Sequence, residues 1–343
     1  MARIYGREWT REELLSMTGD LSQIAGVRFS ELSDGFERGV RIAECRTGGG
    51  LSFTVVLDRG MDVGAAEYEG VPLAWLSGAG FPHPAYHERE GRDWVRTFGG
   101  GLVTGCGLTN AGGATEDEFG REGLHGRLSH IPARDVSSGG EWQGDEYRFR
   151  LRGRMRQYAV FGENMELTRV ISVRLGDPGF VIEDTVENLA DRPWPLMLLY
   201  HVNIGFPILG PESEVEAAPH EVLPRDDEAR KGLSDWMRFE EPQAGYAEQV
   251  FLHDIPAGAD GMSEATLFNR RLKLGVRVRF RKAELPLMAQ WKMMGKGAYV
   301  VGFEPANAFV LGRAEERAAG RLQTLEPGER RDFRVEVAVD DRR

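Results

Sequence analysis

The run from Leu198 to Leu209, LLYHVNIGFPIL, is apolar enough to bury itself, yet it carries His201 and Asn203 two positions apart. On a β-strand, residues i and i+2 share a face, so an imidazole and a carboxamide emerge side by side. Each destabilises a core unless it is hydrogen-bonded. On a face that opens to a ligand, the same pair suits proton transfer and its orientation. Gly205 and Pro207 break the strand just beyond, which sets His201 near a sheet end, where ligand-contacting groups concentrate. A polar pair satisfied inside the core is the competing reading.

Four further segments carry candidate chemistry. In EGLHGRLSH, His125 stands in a loop-like setting before Gly126 and Arg127, and glycine there lets another group approach closely. His125 and His130 are five apart, a spacing that would put them on opposite faces of a strand and makes them poor joint metal ligands. In YVVGFEPANAF, Glu304 ends an apolar run, where a carboxylate is costly unless paired or used, and Asn307 stands three residues on. In LDRGMDVG, Arg59 either forks onto a hydroxyl-rich or carboxylate ligand or braces a turn through an Asp–Arg pair. The glycine-rich TFGGGLVTGCGLTNAGG lacks the Gly-Lys-Ser/Thr of a phosphate loop, so it reads as close backbone packing beneath a pocket, with Asn110 as a candidate contact. His83 and His87 in HPAYH have helical spacing, but Pro82 and Pro84 make a loop the better reading.

The elements that must position these groups are mostly strands. LKLGVRVRF and FRVEVAV alternate apolar and polar residues with period 2, as half-buried antiparallel strands do. MELTRVISVRL, VIEDTVEN and LSFTVVLD are further candidates, separated by turn clusters such as GDPG and EPGE. Thr10 and Glu13 form a capping-box signature that predicts a short helical lead-in over about residues 10–18. A second short helix is expected between Asp226 and Met237. With no repeat, linker or composition break, residues 1–343 read as one large antiparallel β-sandwich with a few short helices.

Composition narrows the function. A formal net charge of -11, without a basic block, argues against nucleic acid as partner. No run of about 18 apolar residues suggests a membrane span. Cys45 and Cys106 give neither a disulfide framework nor a thiol-rich metal site, so a reduced cytoplasm is the default location. A small molecule is the partner this composition suits, and oligomeric state is not legible.

Taken together, LHG followed by a strand His-x-Asn and a late Glu-Pro-x-Asn resembles the galactose mutarotase-like superfamily. DRGMD, LHGR, LYHVNIGFP, QWKMM and FEPAN look like the aldose 1-epimerase-related branch DUF4432, from about Arg38 to Val339. The resemblance implies a β-supersandwich whose concave face holds a carbohydrate. It implies Glu304 as general base, His201 as general acid, His125 near the ring oxygen or an adjacent hydroxyl, and Arg59 as a clamp. LHGR has Arg127 where the better-known enzymes have a second glycine, and HVN lacks their aromatic residue, so the pocket is reshaped.

Such chemistry needs one base and one acid across the sugar ring and no metal, nucleotide or other cofactor. Asn203 would position His201 or the sugar. Trp291, Trp75 and Phe303 are either sugar platforms or core. Arg127 and Lys292 either meet an anionic substituent or sit in ion pairs. Two other functions use the same residues: a metal-dependent sugar isomerase ligated by His125, His201 and Glu304, and a non-catalytic sugar-binding module.

Overall fold

The structure is a computed structural model and describes residues 1–88 and 90–343. Three antiparallel sheets dominate, of eight, six and five strands. The candidate residues His201, Asn203, Trp291, Lys292 and Glu304 belong to the six-stranded sheet. Its strands are β1 (Thr104–Leu108), β2 (Met197–Gly205), β3 (Glu221–Pro224), β4 (Gln249–Asp254), β5 (Leu287–Gly295) and β6 (Ala298–Ala306), in spatial order β3-β4-β5-β6-β2-β1. The fold is the expected antiparallel β-sandwich with short helices attached.

The alternating sequences produce these layers directly. Phe333, Val335, Val337 and Val339 in the strand Arg330–Asp341 all point into the main core, and Val276, Val278 and Phe280 do the same from the adjacent strand. β2 differs, because all nine of its residues are buried. Its even positions, Leu198, Tyr200, Val202 and Ile204, join the main core, which draws residues from Ala2 through Val339. Met197 and Leu199 on the other face join a second cluster with Trp94, Phe98, Cys106 and Ala306. A sheet covered on both sides explains why this strand reads as a continuous apolar run. Each fully buried aliphatic side chain there contributes about 1.5–3 kcal/mol.

The helices are short. Thr10 caps Arg11–Met17, with its hydroxyl accepting from the Glu13 amide and the Glu13 carboxylate accepting from the Thr10 amide. The second expected helix is reduced to Asp227–Lys231, capped by Asp226 and followed by a 3-10 turn at Leu233–Asp235, because Gly232 interrupts it. A third helix, Arg313–Ala318, was not signalled. His83 caps a 3-10 turn over Pro84–Tyr86, in keeping with the loop reading. Among the described residues no helix is long and apolar enough to cross a membrane.

The glycine-rich segment is close backbone packing, as its composition suggests. A Cβ on Gly107, at φ +140°, would lie 2.4 Å from the Met197 carbonyl oxygen across the β1–β2 pair. Gly126 has φ +69°, and a Cβ there would lie 2.4 Å from the Asn110 carbonyl oxygen. The second contact, with the Gly107 amide donating to the His125 carbonyl, seats the His125 loop against the sheet.

Candidate active site

Register assembles the site. The pairs Val202–Phe303 and Asn203–Gly302 lay β2 beside β6 so that His201 and Glu304 are neighbours on one face. Thr104 lies across from His201 on the outer side, and Ala289 across from Glu304. The His201 Nε2 stands 3.2 Å from Glu304 Oε1, with both side chains almost entirely buried. Gly302 leaves room for them: a Cβ there would come within 3.0 Å of Glu304 Oε1 and 3.1 Å of His201 Cε1.

Aromatic rings enclose this pair. The His201 ring lies 5.5 Å from that of Phe98 and 5.4 Å from that of Trp291, both edge-on. Trp75 packs against Phe98 and Trp291, and Trp94 stacks on Phe98 at 4.5 Å. His125 enters from its loop, its ring 5.8 Å from His201 and 4.8 Å from Trp94. Its backbone is held at φ +59°, uncommon for a non-glycine residue and frequent at functional sites. The Gly112 amide donates to His125 Nδ1, which leaves Nε2 for another partner.

The electrostatics follow from this enclosure. Burial pushes Glu304 up to about 8, opposed by the milder pull of Arg225 and aided by the charge of Glu248. Burial also lowers His201 to about 3, helped by the neighbouring His125 and opposed by Asn203. His125 falls to about 4, from burial and then the field of Arg92. At neutral pH the pair therefore rests as a protonated carboxyl beside a neutral imidazole. The Asn203 amide nitrogen donates to the Gly101 and His201 carbonyls, which turns Oδ1 toward the imidazole side. Asn203 Oδ1 and His201 Nδ1 are both buried without a hydrogen-bond partner among the described residues. A histidine hydrogen on Nδ1 turns the Nε2 lone pair toward Glu304.

Not every expected site residue is here. His201, Glu304, His125, Trp291 and Trp75 share the aromatic enclosure and Asn203 stands next to it on β2, whereas Phe303 points into the main core. Lys292 lies on the opposite face of β5 from Trp291, 1% exposed, and donates to the Asp235 carbonyl and Glu240. Arg127 donates to Glu122, 2.9 Å away, with Glu163 beyond. Asn110 is a loop brace, donating to the Gly113 and Gly123 carbonyls and accepting from the Arg313 amide. Asn307 does not orient Glu304, since its amide ties Leu196 and Leu198 to the end of β6. Arg59 is buried elsewhere, donating to the Pro82 carbonyl and contacting His130 Nε2 at 3.0 Å. Backbone and carboxylate partners claim these five side chains, which removes them as ready ligand contacts.

The sequence reading missed Trp94 and Phe98, and also a polar group at the rim. Arg225 follows β3 and Glu248 precedes β4. Glu248 accepts from Trp291 Nε1 at 2.8 Å and lies 3.4 Å from Arg225, which also contacts Asp226. Among the described residues no three His, Cys, Asp or Glu side chains gather as a metal-holding cluster.

The sheets form a galactose mutarotase-like β-sandwich. The model of the domain of unknown function DUF4432 matches residues 37–339, and the chain belongs to that family. A solved Klebsiella pneumoniae structure, provisionally named an aldose 1-epimerase, is 25% identical with a TM-score of 0.87, over 92% of this chain and 83% of that one. A galactose mutarotase-like protein from Clostridium acetobutylicum is similar at 13% identity and TM-score 0.62, over 93% and 99% of the two chains. Galactose 1-epimerase from Lactobacillus acidophilus shares the fold at 12% identity and TM-score 0.56, over 92% and 98%. No curated protein matches.

Proposed function

We propose that this protein is an isomerase of the aldose 1-epimerase type, interconverting the anomers of a free sugar by acid/base ring opening. The 3.2 Å contact between Glu304 and His201 carries the reading. Opening a cyclic hemiacetal requires a proton removed from the anomeric hydroxyl and one delivered to the ring oxygen. The pair holds a single proton, so one member is always ready to accept and the other to donate.

The proton count balances through the cycle. Passage of the pair's one proton from Glu304 to His201 Nε2 across the 3.2 Å contact makes Glu304 the base and His201 the acid; Glu304 then takes the anomeric proton and His201 protonates the ring oxygen. That leaves the neutral pair, which is the form burial favours at rest. The open aldehyde turns about its C1–C2 bond, and closure on the other face runs the two transfers backwards. In this reading His125 holds the ring oxygen or an adjacent hydroxyl, and the aromatic walls exclude water and pack on the sugar's apolar faces.

The test is NMR anomer exchange across a panel of free aldoses with wild type and Glu304→Gln. Selective acceleration that disappears in the variant supports the assignment. Acceleration that persists removes Glu304 from its role, and acceleration of no aldose removes the reading.

A further inference from the structure

The rim group presents a cation next to the pocket that is already neutralised. Arg225 leaves the end of β3 with its amide bonded to the Val250 carbonyl, and Val250 lies across from Trp291. Its guanidinium meets Asp226 at 2.8 Å and Glu248 at 3.4 Å, so the three charges sum to −1. The second oxygen of Glu248 accepts from Trp291 Nε1 at 2.8 Å. One carboxylate thus claims both the guanidinium and the aromatic ring that walls the dyad. The other basic side chains once in question, Lys292, Arg127 and Arg59, are spent on internal partners.

We propose that Glu248 is a specificity-determining residue: by holding Arg225 and Trp291 together it reserves the pocket for uncharged sugars and turns away sugar acids and sugar phosphates. This rests on the sugar reading of the dyad and assigns its substrate class. An anionic substituent entering near Trp291 would meet the net negative Asp226–Arg225–Glu248 group and would have to displace Glu248 from Arg225. A neutral sugar meets an intact aromatic wall.

The variant Glu248→Gln separates the two duties, because the Gln carbonyl oxygen still accepts from Trp291 Nε1 while Arg225 is released. The probes are matched pairs, galactose with galacturonate and glucose with glucuronate, followed by anomer exchange and by NMR titration of binding. Wild type should favour the neutral member by about tenfold or more, and Glu248→Gln should narrow that ratio to about threefold or less. Arg225→Gln added to that variant should abolish the gained uronate binding. A structural role alone would not move the pH profile. The groups facing Glu304 are His201 from β2, Cys106 from β1, Arg225 and Glu248. Removing the Glu248 charge should bring the alkaline limb of activity to lower pH.

A wild type that prefers uronates, or a ratio unmoved by Glu248→Gln, overturns the proposal while leaving the mutarotase reading intact. If wild type exchanges no aldose, yet galacturonate binds Glu248→Gln and not wild type, the role of Glu248 stands and the mutarotase reading falls. If galacturonate binds neither protein and no aldose exchanges, both fall.

Discussion

Two buried clusters of ionisable groups lie back to back on β2, one through Tyr200 and the other through His201. On the core side, Arg169 is wholly buried and donates from Nε and Nη2 to Asp184, and from Nη1 to the Gly60 carbonyl. Tyr200 donates to the same Asp184 at 2.8 Å, and Asp62 accepts from the Gly105 amide. Arg169 and Asp184 match charge for charge with their hydrogen bonds filled, while burial raises Asp62 to about 7 beside them. On the pocket side, Glu304 and His201 share one contact, and each sits far from its ordinary pKa. A completed network fixes strands in place, whereas an incomplete one, enclosed by rings, is left able to move a proton.

Substitutions on the two sides should therefore fail differently. Glu304→Gln should lower anomer exchange by about 10²- to 10⁴-fold, with circular dichroism unchanged. Asp184→Asn strands the Arg169 guanidinium in the core and should cost about 3–5 kcal/mol by urea unfolding. Activity lost in step with stability in both variants would erase the distinction.

The pH dependence sharpens it. Glu304 rises from 4.5 to about 8 on folding, so between those values the folded chain keeps a proton the unfolded chain has lost. Stability contributed by that proton is complete below about 4.5 and is lost as pH rises toward 8. Glu304→Gln lacks this loss, so its unfolding free energy from urea titration should overtake that of wild type between pH 5 and 8, by an amount on the order of a few kcal/mol. Catalysis should fall along the same limb as the pair gives up its one proton. A free-energy difference independent of pH would contradict the protonated resting state.

Much of this site was legible because strands encode it in parity. His201 and Asn203 share a face, and Glu304 ends its apolar run across from them. The same parity was available to sort Trp291 from Lys292: adjacent strand residues point oppositely, so only one could line the pocket. Asn110 and Asn307 looked like ligand groups because an amide gives no sign of whether backbone groups already claim it. Trp94 and Phe98 lie on a 3-10 turn without periodicity and at its end. Arg225 and Glu248 are ordinary surface charges in sequence and meet only through the β3–β4 pairing. The β-layers were readable from alternation, while the long-range register that joins charges across strands has no local signature.

Glycine substitutions offer the finest separation of the two sides of the sheet. A Cβ at Gly302 would press on Glu304 Oε1, His201 Cε1 and Trp291 Cβ, at 3.0, 3.1 and 3.2 Å. The first two belong to side-chain ends that can shift a few tenths of an ångström, so the change acts on dyad geometry more than on backbone. At Gly107 the obstacle is the Met197 carbonyl oxygen at 2.4 Å, with φ +140° adding strain, and neither can yield without moving β1 from β2. Gly302→Ala should therefore slow exchange by about tenfold with under about 1.5 kcal/mol lost, since small overpacking is partly absorbed. Gly107→Ala should cost more stability, above about 2 kcal/mol by the same urea assay. A reversal of that order would mean the site face is the rigid one, and the freedom assigned to Glu304 and His201 would have to be withdrawn.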